Sequence, residues 1–206
     1  MLNHEHASIA VMPEAELIAR LMRYPYLLCD LVQVHGIPDG CQHRLSVPLG
    51  ELTGPYQGDV DILLSVPGAH QEATAIEVKR VKYSGAPLKR NKLNSLAKGV
   101  DQANRLASLG FWQVYLYVIV VVDSRLQNAG KLTYDGLSLE MAQDLEGAIS
   151  PFGLDERVGM IHLDYEQPMD REPLTCGAGG AGVIRLARAA AQRNEVTAWV
   201  AAQFSN

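Results

Sequence analysis

The stretch that most constrains this chain is residues 58–82. It runs Gly58-Asp59-Val60-Asp61-Ile62-Leu63-Leu64-Ser65-Val66, passes a polar break, and resumes as Ala73-Thr74-Ala75-Ile76-Glu77-Val78-Lys79-Arg80-Val81-Lys82. Residues 60–66 and 74–81 are rich in β-branched side chains, and Pro67-Gly68-Ala69-His70-Gln71 between them has turn chemistry. Together they predict an antiparallel hairpin. Side chains alternate across a strand, so Asp61, Leu63 and Ser65 are expected on one face and Ile62, Leu64 and Val66 on the other. Glu77 and Lys79 likewise share a face, opposite Ile76 and Val78. With the turn centred near Ala69 or His70, Asp61 lies opposite Glu77 or Lys79, and the three polar groups come within reach of one another.

Two carboxylates a few ångströms apart on an otherwise apolar hairpin repel, and burial makes this worse unless something positive sits between them. A hard divalent cation with oxygen ligands answers that need, Mg²⁺ above all, because it accepts one or two carboxylates and keeps its waters. Lys79 beside the cluster would orient or deprotonate a water, or neutralise charge developing on a phosphate. The competing reading is plain: a solvent-facing hairpin with an Asp/Lys cross-strand pair, in which Asp61 is only a strand-start residue. Asp61, followed 16 residues later by Glu77-x-Lys79 and framed by two apolar strands, favours the metal site.

Gly58-x-x-Asp61-Ile62-Leu63-Leu64 followed by Ile76-Glu77-Val78-Lys79 resembles the PD-(D/E)xK, restriction-endonuclease-like nuclease superfamily. With its flanking elements the resemblance covers roughly residues 10–125. It implies an α/β fold with a restriction-endonuclease-like core, a central mixed β-sheet flanked by helices. It also implies Asp61, Glu77 and Lys79 as the catalytic set, and Mg²⁺, with Mn²⁺ as a substitute, held by Asp61, Glu77 and the Val78 carbonyl. Asp59 is the alternative first acid, outside the apolar strand. Val60 stands where the family has the proline of its Pro-Asp pair.

The flanking segments extend this reading. Residues 13–23 predict a first helix, with Pro13 at its start and Glu14 and Glu16 in the first turn, where the helix dipole favours acids. Glu14 falls on the stripe of Leu17, Ile18 and Leu21, and members of the superfamily often carry an additional acid on such a helix. Residues 91–109 predict a second helix, with Leu93, Leu96, Ala97, Val100, Asn104 and Ala107 as its apolar stripe. Some branches of the superfamily place a glutamine on this helix, which makes Gln102 a further candidate, although the tyrosine four residues on is Leu106 here. Residues 44–49, 112–122 and 158–165 predict strands, the second nearly all apolar and so central, and residues 138–149 a helix.

Net charge is −5, yet Lys79, Arg80, Lys82, Lys89, Arg90, Lys92, Lys98 and Arg105 face a single acid, Asp101, between positions 79 and 105. That local +7 leaves the rest of the chain at −12. A basic segment starting at the proposed catalytic lysine suits a phosphate backbone, with Arg80, Lys82, Lys89, Arg90, Lys92, Lys98 and Arg105 as the nucleic-acid contacts. A merely solvated face is the alternative.

Length and composition fit one domain over residues 1–206, with its core at about 10–165. The first residues lack a basic and apolar leader, no apolar run reaches bilayer length, and Cys29, Cys41 and Cys176 are too scattered for a disulfide framework, so a cytoplasmic protein with reduced thiols is expected. His35, Cys41 and His43 lack the paired spacing of a zinc site, and His162 reads as an ordinary strand histidine. Gly177-Ala178-Gly179-Gly180-Ala181-Gly182 formally matches a dinucleotide fingerprint. No strand is expected before it and few residues remain after it, so it reads as a flexible linker at 177–182 before a final helix at about 183–204.

The expected function is a metal-dependent nuclease, DNA favoured, acting alone, as a homodimer or with a larger partner. The alternatives are a non-catalytic nucleic-acid-binding or structural subunit with a nuclease-like fold and, more remotely, an oxidoreductase built on the glycine run.

Overall fold

The computed structural model describes residues 13–23, 36–54, 58–83, 90–122, 147, 153–166 and 179–205. Within them the chain builds one six-stranded mixed sheet flanked by helices, an α/β architecture. The elements are α1 (Glu14–Leu21), β1 (Gln42–Pro48), a short α2 (Gly50–Thr53), β2 (Asp59–Ser65), β3 (Thr74–Tyr83), α3 (Arg90–Leu109), β4 (Gln113–Val122), β5 (Gly159–Glu166), β6 (Gly179–Arg185) and α4 (Asn194–Phe204). Strand order follows sequence order, β1-β2-β3-β4-β5-β6. The β1–β2, β2–β3 and β5–β6 pairs are antiparallel, while β3–β4 and β4–β5 are parallel.

The β2–β3 turn forms as its residues dictate. Pro67 and Gly68 (φ +79°) occupy the centre of a tight turn in which the Ala69 N–H donates to the Val66 carbonyl at 2.9 Å. Proline followed by a left-handed glycine is the type II signature. A 3₁₀ turn, His70–Glu72, completes the connection. Ile62 pairs with Ile76 and Leu64 with Thr74, so the hairpin is centred on Ala69.

Alternation then sorts the core into two layers. On one face Leu63, Ala75, Leu116, Val118 and Val120 pack with Leu96, Val100 and Leu106 of α3 and Val196, Trp199 and Val200 of α4. On the other face Ile62, Leu64, Ile76, Val78, Tyr115, Tyr117 and Ile119 receive Leu17, Ile18 and Leu21 of α1. The β4 strand is buried on both faces, as its unbroken apolar sequence requires. Among the described residues no helix is long and apolar enough to cross a membrane.

Three expectations need correction. The glycine run is not a linker: Gly179–Arg185 is β6, paired antiparallel with β5, and Gly182 lies where a Cβ would strike the His162 ring. The final helix begins at Asn194 rather than near 183; residues 186–193 form neither helix nor strand and pass the starts of β5 and β4. There the Arg188 N–H donates to the Arg157 carbonyl at 2.9 Å and the Ala190 N–H to the Trp112 carbonyl at 2.9 Å. Asn104 does not belong to the apolar stripe of α3; its amide caps a loop, donating to the Gly153 carbonyl at 2.9 Å and accepting from the Asp155 N–H at 2.8 Å. The helix expected at 138–149 lies outside the described residues apart from residue 147, as do His35, Cys29 and Cys176.

Candidate active site

The site grows from a fork between β2 and β3. Their register covers only residues 62–64 against 74–76; continued by one step it would set Asp61 opposite Glu77, but the strands part there. Beyond the fork, the amides of β3 that would have bonded β2 meet carboxylates instead. The Val78 N–H donates to Asp61 Oδ2 at 2.7 Å, and two residues on the Arg80 N–H donates to Glu14 Oε2 at 2.6 Å. Pro13 starts α1 by accepting the Leu17 N–H at 3.0 Å, and the buried stripe Leu17, Ile18 and Leu21 fixes the helix on the sheet, which brings Glu14 to that strand edge.

A second distortion sits on the opposite side of Asp61. Ser46 of β1 has φ +49°, the one positive φ of a non-glycine among the described residues. The β1–β2 register runs through Leu45↔Ile62 and Val47↔Val60 but omits the pair of Ser46 with Asp61. Val60 belongs to the same core layer as Leu63, whereas regular alternation would place it with Ile62. Strand β2 therefore slips phase at Asp61. The expected alternation holds for Ile62 and Leu64 against Leu63, and it is interrupted at Asp61, whose side chain turns toward the edge of β3 to meet the Val78 N–H, a common use of local strand irregularity.

Glu77 and Lys79 share the α3 face, as expected. The Lys79 ammonium lies 2.6 Å from Glu77 Oε1, donates to the Val78 carbonyl at 2.9 Å, and lies 3.5 Å from Glu14 Oε1. Glu77 is 1% exposed and the Lys79 side chain 10%, while Glu14 keeps 34% of its side chain open and Asp61 is half-buried. Anything reaching these groups comes from the side of Glu14 and Asp61.

The electrostatics follow from burial. Burial, and next the charge of Asp61, push the Glu77 carboxyl up to about 8, against the pull of Lys79. Burial also raises Asp61, opposed by the Val78 N–H and Lys79, with Asp59 and Glu14 adding to the rise. For Lys79, burial disfavours the charge, but Glu77, Glu14 and Asp61 together outweigh it and hold the ammonium above its ordinary value. Among the described residues, Lys79 is the cation that lowers Asp61 and Glu77, and it does so against the combined charge of Asp59, Asp61, Glu77 and Glu14. This deficit of positive charge is the feature that fits a divalent cation. Among the described residues no three His, Cys, Asp or Glu side chains form a ready metal cage. The available donors are two carboxylates and a main-chain carbonyl, a set that suits an ion keeping several waters.

The other predicted residues are distributed unevenly. Gln102 is exposed on α3, and the structure does not bring it into this cluster. Arg80, next to Lys79, is half-buried, Lys98 is exposed and Arg105 half-buried on α3. Lys89 and the side chains of Lys82, Arg90 and Lys92 lie outside the described residues. Cys41 donates its thiol to the Pro38 carbonyl at 2.9 Å, and burial, then Asp39, push it up to about 11. Sequence reasoning missed Ser46 and Gly99, a glycine of α3 that faces Lys79. Nothing around Ser46 announces a left-handed residue, whereas an isolated glycine inside a helical pattern is a recognisable sign of close packing.

No family model matches this chain, and no curated protein is similar to it in sequence. Among solved structures, SfsA from Pyrococcus furiosus in complex with Ca²⁺ is similar at 13% identity and a TM-score of 0.30, over 84% of this chain. The match spans 65% of that protein's own length.

Proposed function

We propose that the chain is a metal-dependent nuclease hydrolysing phosphodiester bonds, with DNA as the favoured substrate. The observation that carries the reading is the fork between β2 and β3, where Asp61, Glu77, Lys79 and the Val78 carbonyl gather beside the open carboxylate of Glu14. Asp61, Glu77 and the Val78 carbonyl would hold Mg²⁺, or Mn²⁺ in its place, with Glu14 as a further acid. The bound ion would stabilise charge developing on the phosphate and ease deprotonation of the attacking water. Lys79 would orient that water, Asp61 would keep its position through the Val78 N–H, and Arg80, Lys98 and Arg105 would hold the phosphate backbone.

The second reading, a non-catalytic nucleic-acid-binding subunit, draws on the near-complete burial of Glu77 and Lys79. Incubating the protein with supercoiled plasmid, linear duplex, single-stranded DNA and RNA, each with Mg²⁺, Mn²⁺ or chelator, separates the two. The nuclease reading expects metal-dependent cleavage, abolished by Asp61→Asn and Lys79→Met while both variants remain folded. Binding of these nucleic acids with no cleavage under any metal would favour the second reading. The balance of nicked and linearised plasmid reports whether one site or two act together.

A further inference from the structure

We propose that Gly99 of α3 is the positioning residue for Lys79: its missing side chain is the slot through which the lysine stem reaches Glu77 and the Val78 carbonyl. A Cβ built on Gly99 would lie 2.5 Å from Lys79 Cγ, 3.1 Å from Lys79 Cε and 3.2 Å from a methyl of Leu116. The Cγ contact is close to the backbone of β3, where the side chain has little freedom to move aside. Gly99 is buried and lies in the middle of a 20-residue helix, a place where glycine is poorer than alanine by about 1 kcal/mol. Helix propensity alone therefore argues against a glycine here, and the lysine stem explains it. With the slot filled, Lys79 must leave the face of α3, and its ammonium loses the 2.6 Å and 2.9 Å contacts that hold it between Glu77 and the main chain. The placement stands on packing alone; its effect on cleavage rests on the nuclease reading above.

The test is a set of thermal melts in a Glu77→Gln background, which spares the protein an unpaired buried carboxylate when the lysine is changed. Gly99→Ala is added to Glu77→Gln, to Glu77→Gln/Lys79→Met and to Glu77→Gln/Lys79→Ala. Methionine keeps a long unbranched stem without the charge, while alanine removes the stem. Gly99→Ala is expected to lower Tm in the first two backgrounds and to raise it by about 2–4 °C in the third, where only the 3.2 Å approach to the movable Leu116 methyl stands against helix propensity. One sign in all three backgrounds overturns the proposal. In otherwise native protein, Gly99→Ala is expected to lower kcat for plasmid cleavage at least about 10-fold, the scale of a misplaced catalytic group, with KM for DNA unchanged. A folded Gly99→Ala variant with native kcat also overturns it, and this measurement decides should the Lys79→Ala arm not fold. If the native protein cleaves nothing while the melts reverse sign, the nuclease reading fails and the slot stands.

Discussion

The two edges of β3 do different work. Toward β4 the strand is paired without interruption, residue for residue from Thr74↔Gln113 to Tyr83↔Val122, and the partners from Val114 to Val120 are all buried and apolar or aromatic. Toward β2 it is paired over three residues and then meets carboxylates. A strand whose hydrogen bonds are satisfied by another backbone is rigid and chemically silent. One whose hydrogen bonds are satisfied by ionisable side chains carries charge and titrates. The parallel edge gives the stiffness that lets the forked edge hold several like charges close together.

The largest effect that sharpens this contrast is expected from Lys79→Ala. Removing the ammonium leaves Glu77 buried and unpaired, which above about pH 8, where the carboxyl must ionise, should cost about 3–5 kcal/mol in urea unfolding of the metal-free protein. Mg²⁺ should recover part of that loss. On the silent edge, Ile119→Ala should cost about 2–5 kcal/mol through its cavity, by the same amount with and without Mg²⁺. Equal metal dependence at the two positions would erase the distinction.

A second effect is pH-dependent. Glu77 titrates higher in the fold than in the unfolded chain, so the folded state binds more protons between about 4.5 and 8. Its contribution is fully present below the unfolded value and is lost as pH rises toward 8, by at most about 1.4 kcal/mol per pH unit. Melts of metal-free protein should fall across that window, and Glu77→Gln should flatten the fall. A rise with pH would contradict the buried-carboxylate picture.

Next in size is Asp61→Ala, which strands the Val78 N–H and should cost about 1–3 kcal/mol, whereas Asp61→Asn keeps an acceptor and should cost less. Equal losses would mean that the amide was not relying on Asp61. The smallest effect is a gain. Ser46→Gly removes the cost of a left-handed non-glycine and should stabilise by about 1 kcal/mol, while Ser46→Val should destabilise.

Legibility in the sequence followed the same division. The silent edge was readable because burial on both faces leaves an unmistakable run at 113–122, and the helix at 90–109 carries a regular stripe. The hairpin, a centre near Ala69 or His70 and the shared face of Glu77 and Lys79 follow from alternation and from Pro67-Gly68, and the register then settles the centre at Ala69. Alternation cannot report where it is broken, so the phase slip at Asp61 and the kink at Ser46 were invisible. The glycine strand was misread because glycine carries no side-chain pattern, and β6 is defined by what β5 offers it, including the room His162 needs over Gly182. The late start of α4 was hidden for a related reason: the backbone partners of Arg188, Ala190 and Arg193 are far away in sequence.

Gln192 shows where that distance leads. Its Oε1 accepts the Ala73 N–H at 3.1 Å and the Trp112 N–H at 3.2 Å, and its Nε2 donates to the His70 carbonyl and Thr197 Oγ1. The amides it answers precede β3 and β4, 119 and 80 residues earlier. On a ribosome, both strands emerge well before their latch is translated, so the starts of β3 and β4 wait for a partner that the chain supplies only much later.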